Sequence, residues 1–266
     1  MRKSILNGVG EIIDGALGLC IDAKTIGKAP HYRHRKSCMM LSSEPVTDFD
    51  GKALIKKIYE KIESNLAADR RPSRENWRLT KNHAKIDEGK ANNREKKIEV
   101  KLERNIITMD DWFNQVPTAS GLVNERSDKR GSIDLVHRCD GQLYEFIELK
   151  VTSNNPLYAA MEILQYGVLY MLARQAMNAG EEKELLKAKA IHLKVLAPTN
   201  YYERFKKLRW LESDINSGLE KFLRERALPF QMTFKFEAFP PYFSLSPFPK
   251  DEAIKQALED RRSVYS

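Results

Sequence analysis

Residues 131–151, GSIDLVHRCDGQLYEFIELKV, consist of two apolar runs on either side of an Asp-Gly pair. Runs of this length around Asp-Gly are typical of two antiparallel β-strands joined by a tight turn. Three charged residues, Asp134, Glu148 and Lys150, stand inside the runs, where a lone charge is costly to bury. The stretch therefore predicts a β-hairpin that carries a cluster of charged side chains.

The length of the turn decides whether the three charged residues meet. Side chains alternate between the faces of a strand, so Glu148 and Lys150 share a face. A two-residue turn would place Asp134 opposite Ile147, on the other face, and would disperse the charges. A three-residue loop would place Asp134 opposite Phe146 and diagonal to Glu148. We predict the three-residue loop, because it also gathers the apolar residues of the hairpin on the opposite face.

That opposite face is a good core surface in this register. Its apolar members are Ile133, Leu135, Leu143, Ile147, Leu149 and Val151. His137 and Glu145 lie diagonal to each other on the same face and are able to pair. We therefore expect one face of the hairpin to pack against the core while the other presents the charged cluster.

Composition indicates the kind of protein and its partners. The chain has 266 residues, 42% hydrophobic and 31% charged, which is typical of a globular protein with one main core. Its net charge is +8, from 45 Lys and Arg against 37 Asp and Glu, which favours a polyanionic partner such as nucleic acid. The three cysteines form no CxxC pair, and no apolar run is long enough to span a membrane. We expect a cytoplasmic protein without structural zinc and without a membrane partner.

The predicted elements become regular after residue 91. An amphipathic helix with Ile98, Leu102 and Ile106 at four-residue intervals comes first, followed by a short strand that Pro117 breaks, and then by the hairpin. A long apolar helix and a further strand complete the order helix, three strands, helix, strand. The later predicted ranges are 156–177 for this helix, 189–198 for the strand, 200–226 for a helix, 232–239 for a last strand, and then a short terminal helix.

The first ninety residues are less regular. They contain one predicted helix, 52–67, between two basic tracts, HYRHRK at 31–36 and DRRPSR at 69–74. We predict an α/β protein with a mixed central sheet flanked by helices, in three parts. These are an accessory lobe or wrap at 1–90, a core at 91–240 and a C-terminal extension at 241–266.

The charged cluster suits the hydrolysis of phosphodiesters. Carboxylate oxygens such as those of Asp134 and Glu148 are suitable ligands for Mg²⁺ or Mn²⁺. A cation held in this way polarises a phosphodiester oxygen and lowers the pKa of bound water. Lys150 would orient or help deprotonate the attacking water, or stabilise the negative charge that develops on phosphorus.

The hairpin resembles the signature of the PD-(D/E)XK phosphodiesterase superfamily, also called restriction-endonuclease-like. Asp134, then thirteen residues, then Glu148-Leu149-Lys150 is similar to that motif in spacing and in residue types. Ile133 stands where the superfamily's name has Pro, as is common in divergent members. The superfamily core of helix, three strands, helix and strand is similar to the order predicted above.

Further residues extend the resemblance over 91–198. Gly131 to Asp134 resembles the GxxD form of the first motif, and Gln165-Tyr166 resembles the QY element of the exonuclease branch. The family implies a nuclease that depends on Mg²⁺ or Mn²⁺. The roles that it implies are metal ligation by Asp134, Glu148 and the Leu149 carbonyl, catalysis by Lys150, and a site contribution from Gln165 and Tyr166.

An upstream Glu often completes such sites in the superfamily. Glu95, Glu99 and Glu103 lie along one stripe of the first helix, at four-residue spacing. We choose Glu99 first and Glu103 second as a metal ligand, against the alternative that the stripe is a solvated face. On the long apolar helix, Glu162, Gln165 and Tyr166 form a polar patch. This patch is able to contact the cluster or a phosphate. The alternative is that a buried helix tolerates such residues without a role in the site.

We expect a nuclease that hydrolyses nucleic acid, DNA rather than RNA, with water as nucleophile and with the basic tracts holding the backbone. Tyr201 and Tyr202, which precede several basic residues, would stack on a strand or lie on a solvated helix face. Two other classes stay open: a nucleic-acid-binding module without turnover, and a hydrolase of small phosphoesters. The intact Asp, Glu and Lys set argues against the first, and the basic charge against the second. The sequence leaves a homodimer open.

Overall fold

A six-stranded mixed sheet forms the centre of the fold. The computed structural model describes residues 4–19, 31–66, 75–79, 81, 94–120, 122, 131–152, 155–176, 183–205 and 207–265. The strands are β1 (Trp112–Pro117), β2 (Ser132–Arg138), β3 (Leu143–Leu149), β4 (Ala190–Pro198), β5 (Gln231–Phe239) and β6 (Arg262–Ser263), and they lie in that order across the sheet. β1, β2 and β3 are antiparallel, β3, β4 and β5 are parallel, and β6 is antiparallel to β5.

Helices flank this sheet. Within the described ranges they are α1 (Val9–Ala16), α2 (Arg35–Ser43), α3 (Gly51–Asn65), α4 (Arg94–Ile106), α5 (Pro156–Gln175), α6 (Thr199–Tyr202), α7 (Arg209–Glu225) and α8 (Asp251–Glu259). Two 3₁₀ turns lie at His31–Arg33 and Glu184–Lys187. None of the helices in the described ranges combines the length and apolar character needed to cross a membrane.

The predicted α/β architecture is confirmed, and α4, β1, β2, β3, α5 and β4 follow one another in the predicted order. The helix predicted over 200–226 was wrong, since α6 and α7 are separate helices there. The chain turns between them because Phe205 and Leu208 are both buried in the core. α1, α2 and β6 were not predicted, and the tract at 69–74 lies outside the described residues.

Each face of the sheet covers its own buried cluster. On one face Val136, Phe146 and Val195 pack in a large cluster that includes residues of α1, α3, α5 and α7. On the other face Leu135 and Ile147 pack with residues of α4 and α8. Because α4 and α5 lie on opposite sides of the sheet, side chains from both helices reach the end of the hairpin.

The register of the hairpin differs from the predicted one. Val136 pairs with Phe146, and the ladder places Asp134 across from Glu148, so the predicted pairing of Asp134 with Phe146 was wrong. Asp140 causes the difference, because its Oδ1 accepts the N–H groups of Gln142 and Leu143, each at 2.7 Å. Arg138 then pairs with Tyr144, so five residues lie between the paired positions instead of the predicted three. A shift of two residues preserves the alternation of side chains, so Asp134 and Glu148 still share a face. Leu135, Ile147 and Leu149 pack together on the opposite face as predicted, whereas Ile133 packs in the large cluster.

Candidate metal centre

Asp134 is held at the centre of a buried group of polar side chains. Its Oδ2 accepts the backbone N–H of Leu149 at 3.1 Å, across the hairpin. Its Oδ1 accepts from the side-chain amide of Gln115 at 3.3 Å. Only 8% of Asp134 is exposed, so its carboxylate is fixed in place by neighbours from both adjacent strands. Leu149, whose carbonyl the family resemblance implies as a ligand, contributes its N–H to this arrangement.

Glu148 and Lys150 form a buried ion pair at the end of β3. The Lys150 Nζ donates to Glu148 Oε1, and Glu162 Oε2 of α5 lies 3.4 Å from the same Nζ. Burial would lower the pKa of Lys150, but Glu148 and Glu162 outweigh burial and raise the pKa well above its ordinary value. Lys150 is therefore a fixed cation at neutral pH.

Helix α4 adds two further carboxylates. Glu99 and Glu103 are buried, and each offers an oxygen within 4.8 Å of an Asp134 oxygen and of the other. Glu95, one turn earlier, is exposed. The structure therefore places both the first and the second predicted α4 ligands beside Asp134, and it leaves out the third member of the stripe.

The α4 carboxylates differ in their own partners. Lys96 Nζ donates to Glu99 Oε1. Glu103 Oε2 accepts from Gln115 at 3.1 Å, but Glu103 Oε1 is buried without a hydrogen-bond partner among the described residues. A buried acceptor without a partner is costly, and a ligand bound among these carboxylates would satisfy it.

The electrostatics of the group favour a cation. Burial, and then the charge of Asp134, raise the pKa of Glu103 and that of Glu148 well above the ordinary value. The same two causes raise the pKa of Glu99, against the opposing effect of Lys96. At an effective dielectric constant of about 20, two ionised carboxylates at 4.8 Å repel by roughly 3.5 kcal/mol. A bound divalent cation would remove that cost.

Gln115 was not predicted as part of the site. It has a positive φ of 48° in the middle of β1, which is unusual for a residue other than glycine. Its amide donates to both Glu103 and Asp134, while its carbonyl oxygen accepts from Ser132 Oγ at 2.8 Å. Backbone strain of this kind persists where surrounding contacts enforce it. The one available sequence signal was a polar residue among the apolar residues of an edge strand.

Helix α5 brings part of its predicted polar patch to the group. Burial and the charges of Glu148 and Glu162 raise the pKa of Tyr166 well above its ordinary value, so Tyr166 lies in the field of the carboxylates. Gln165 donates its amide to the Met161 carbonyl, one turn back on the same helix, at 2.8 Å. Glu162 contacts Lys150, as described above, and also accepts from the Tyr158 hydroxyl at 3.3 Å.

The basic tract at 31–36 lies beside the N-terminal end of α5. The buried Asp14 carboxylate accepts the N–H of His31 at 2.7 Å and that of Tyr32 at 2.8 Å. Asn155, which caps α5, donates to the Arg33 carbonyl at 3.0 Å. These contacts fix the backbone of the tract and leave the Arg33 side chain exposed.

Arg33 and Lys150 approach the same aromatic ring. The Arg33 Cζ lies 5.3 Å from the centroid of the Tyr158 ring, and the Lys150 Nζ lies 6.0 Å from it. Lys150 is buried and Arg33 is exposed. The Tyr158 ring therefore has a buried cation on the side of the carboxylates and an exposed cation nearer the surface.

A second buried charge cluster occupies the opposite face of the sheet. Glu145 accepts from Lys194 Nζ at 2.5 Å and from Arg261 at 3.1 Å, and His137 Nδ1 lies 3.0 Å from it. His137 and Glu145 are therefore paired as predicted, although they lie directly opposite rather than diagonal. Burial would raise the pKa of Glu145, but the His137 hydrogen bond and the two cations lower it below its ordinary value.

This second cluster is unsuited to a metal ion, although Cys139 lies near His137 and Glu145. Burial and the Glu145 charge raise the pKa of Cys139 to about 12, so its sulfur stays a thiol at neutral pH. Glu145 is saturated by cations, which makes the cluster a structural one.

Comparisons of the chain with protein-family models, with curated proteins and with solved structures found no match. The chemistry of the centre is therefore considered from its donor atoms. Asp134, Glu99 and Glu103 supply carboxylate oxygens, and Glu148 adds another from the neighbouring strand. Oxygen donors of this kind fit Mg²⁺ or Mn²⁺ and do not favour zinc or copper.

Proposed function

We propose that the chain is a metal-dependent nuclease of the PD-(D/E)XK type that hydrolyses phosphodiester bonds of DNA. The observation that carries the proposal is the unpartnered, buried oxygen of Glu103 inside a group of carboxylates. Fold stability alone does not explain it, because the repulsion and the missing hydrogen bond both disfavour the folded state. A divalent cation bound to these oxygens accounts for both.

The residues divide into ligands and a charge-stabilising group. Asp134, Glu99 and Glu103 would hold the cation. Glu148, on which the charge of Asp134 acts, would be a further ligand from β3. When bound, Mg²⁺ or Mn²⁺ polarises a phosphodiester oxygen and supplies an activated water. Among the roles considered for Lys150, stabilisation of negative charge on the phosphate is favoured. Its raised pKa keeps it protonated, so it donates hydrogen bonds and does not accept a proton.

Arg33 favours a polynucleotide over a small phosphoester as substrate. An exposed arginine beside the buried centre suits a neighbouring phosphate of a strand, which a small phosphoester does not supply. The net charge of +8 supports the same substrate class.

A cleavage assay tests the proposal. Purified protein is incubated with circular and linear, single- and double-stranded DNA and with RNA, in Mg²⁺, Mn²⁺ or EDTA, beside Lys150→Ala. We expect metal-dependent cleavage that Lys150→Ala reduces by about 10²- to 10³-fold, because one preorganised donor to the phosphate is lost.

The matched control for this assay is Lys52→Ala, which removes a lysine of an exposed ion pair with Glu225. It should cleave like the wild type. The circular substrate separates endonuclease from exonuclease action. Salt-dependent DNA binding without cleavage by the wild type in any metal would refute the nuclease and support the binding module.

A further inference from the structure

Tyr201 carries a buried hydroxyl without a hydrogen-bond partner among the described residues. Its neighbour Tyr202 differs, because the Tyr202 hydroxyl donates to the carbonyl oxygens of Val195 at 2.9 Å and Glu237 at 3.0 Å. Both rings are buried, which overturns the two readings of this pair as stacking residues or as a solvated face. Helix α6 therefore buries one satisfied and one unsatisfied hydroxyl, side by side.

The fold places α6 next to the carboxylate centre. The backbone N–H of Lys150 donates to the Leu196 carbonyl at 2.9 Å, so the end of β4 runs beside Lys150. α6 begins at Thr199, three residues after Leu196, and turns over the strand ends. Tyr201 is thus brought to the same end of the sheet as Glu148.

The charges that act on the hydroxyl include those of the carboxylate centre. Burial raises the pKa of Tyr201 well above its ordinary value, and Lys150, Glu148 and Glu99 are among the charges that act on it. Tyr201 therefore remains a neutral O–H donor at all physiological pH values. A buried donor without a partner thus lies in the electrostatic field of Glu148 and Glu99, and a buried acceptor without a partner among the described residues, Glu103 Oε1, lies beside Asp134.

We propose that the Tyr201 hydroxyl donates a hydrogen bond to a water molecule that a divalent cation carries into the carboxylate centre. The inference rests on the metal centre of the proposed function. Mg²⁺ keeps several of its waters when protein carboxylates bind it, and each water needs acceptors and donors around it. Tyr201 acts through this water and is a positioning residue, as outer partners of metal ligands often are.

The test compares Tyr201→Phe with Tyr202→Phe by Mn²⁺ titration calorimetry without nucleic acid, and by urea unfolding in EDTA. Tyr201→Phe should weaken Mn²⁺ binding about 10-fold, since outer-sphere partners contribute 10- to 100-fold. In EDTA its unfolding midpoint should equal or exceed that of the wild type, because an unsatisfied buried hydroxyl is removed.

Tyr202→Phe should show the opposite result. It loses the single hydroxyl hydrogen that the carbonyl oxygens of Val195 and Glu237 share, so its unfolding midpoint should fall while its Mn²⁺ affinity stays that of the wild type. Unchanged Mn²⁺ affinity in Tyr201→Phe, or a fall in its midpoint as large as that of Tyr202→Phe, would overturn the inference.

Failure of the proposed function gives different results. If the wild type binds no Mn²⁺, or binds Mn²⁺ that Asp134→Asn does not abolish, both the centre and the Tyr201 inference are refuted. If Mn²⁺ binds and Tyr201→Phe weakens it, but no nucleic acid is cut in the cleavage assay, the inference stands and the nuclease does not.

Discussion

Glu145 and Glu148 lie three residues apart on β3, on opposite faces of one sheet, and the fold treats them in opposite ways. Glu145 is 5% exposed and Glu148 is 3% exposed, so burial is nearly equal. The pKa of Glu145 is lowered by His137 and the cations that face it, whereas burial and Asp134 raise the pKa of Glu148. Burial alone therefore does not determine how a buried carboxylate behaves.

The two clusters differ in charge balance. Around Glu145 two carboxylates meet two cations, since Lys194 and Arg261 each contact both Glu145 and Glu237. In the carboxylate centre the buried carboxylates outnumber the lysines that pair with them. The acids are Asp134, Glu148, Glu99 and Glu103, and the paired lysines are Lys150 and Lys96. A balanced cluster stabilises the fold, while an excess of buried acids indicates a site that a cation completes.

Glu145→Gln should produce the largest change in stability. It removes the charge that Lys194 and Arg261 share and leaves buried cations undercompensated, so the free energy of unfolding should fall by about 3 kcal/mol. Urea unfolding at pH 7 measures this change. Cleavage per folded molecule should be unaffected, and a stability equal to that of the wild type would remove the contrast between the clusters.

The pH dependence of that loss sharpens the same comparison. Because the pKa of Glu145 is lower in the folded state, its ionisation stabilises the fold above the unfolded value of about 4.3, and this contribution is lost as the pH falls further. The difference between wild type and Glu145→Gln should be full at pH 6–7 and shrink below about pH 4. Unfolding midpoints across this range provide the measurement, and a constant difference would show that ionisation is not its cause.

Glu103→Gln should change stability in the other direction. The pKa of Glu103 is raised in the folded state, so its ionisation destabilises the fold above the unfolded value of about 4.3. In EDTA at pH 7 the variant should gain about 1 kcal/mol, and the gain should vanish as the pH falls below about 4. The same urea experiment detects this gain. A loss of stability would place Glu103 with Glu145 as a structural residue.

Arg33→Ala should have the smallest effect, since Arg33 is exposed outside the buried centre. We expect weaker DNA binding and a slope of log affinity against log salt that is smaller by about 1, because one phosphate contact is lost. Fluorescence anisotropy in Ca²⁺ measures both quantities. Arg226→Ala is the control, since Arg226 lies 4.7 Å from the Tyr59 ring centroid and serves as a matched arginine on an aromatic ring. An equal change in both variants would refute the role of Arg33.

The shared face of Asp134 and Glu148 was predictable because strand alternation determines it. The register was not, since it depends on the Asp140 side chain, whose hydrogen bonds accompany a turn with two more residues between the paired positions than predicted. A shift of two residues kept Asp134 on the face of Glu148 but changed the residue opposite it from Phe146 to Glu148. The charged cluster was therefore predicted correctly although the pairing was wrong. The prediction of metal binding rests on the same face and stays a prediction.

Residues from other elements could be found only in part. The stripe of Glu on α4 was visible, but the packing of α4 against the sheet decides that Glu103 joins Asp134 as closely as Glu99 does. The sequence near Tyr201 did not indicate that its ring is buried, because burial of α6 depends on the turn that follows β4. Arg33 belongs to a recognised basic tract, yet its place beside α5 depends on Asp14 and Asn155, far away in the sequence.

The most direct test of the metal centre is the unfolding midpoint of wild type, Glu103→Gln and Glu145→Gln, each in EDTA and in saturating Mn²⁺. A cation present at 100 times its dissociation constant stabilises a folded protein by about 2.7 kcal/mol. We expect Mn²⁺ to raise the midpoints of wild type and Glu145→Gln by similar amounts, and that of Glu103→Gln by much less. An equal rise in all three, or no rise in the wild type, would contradict a cation site built from the carboxylates around Asp134.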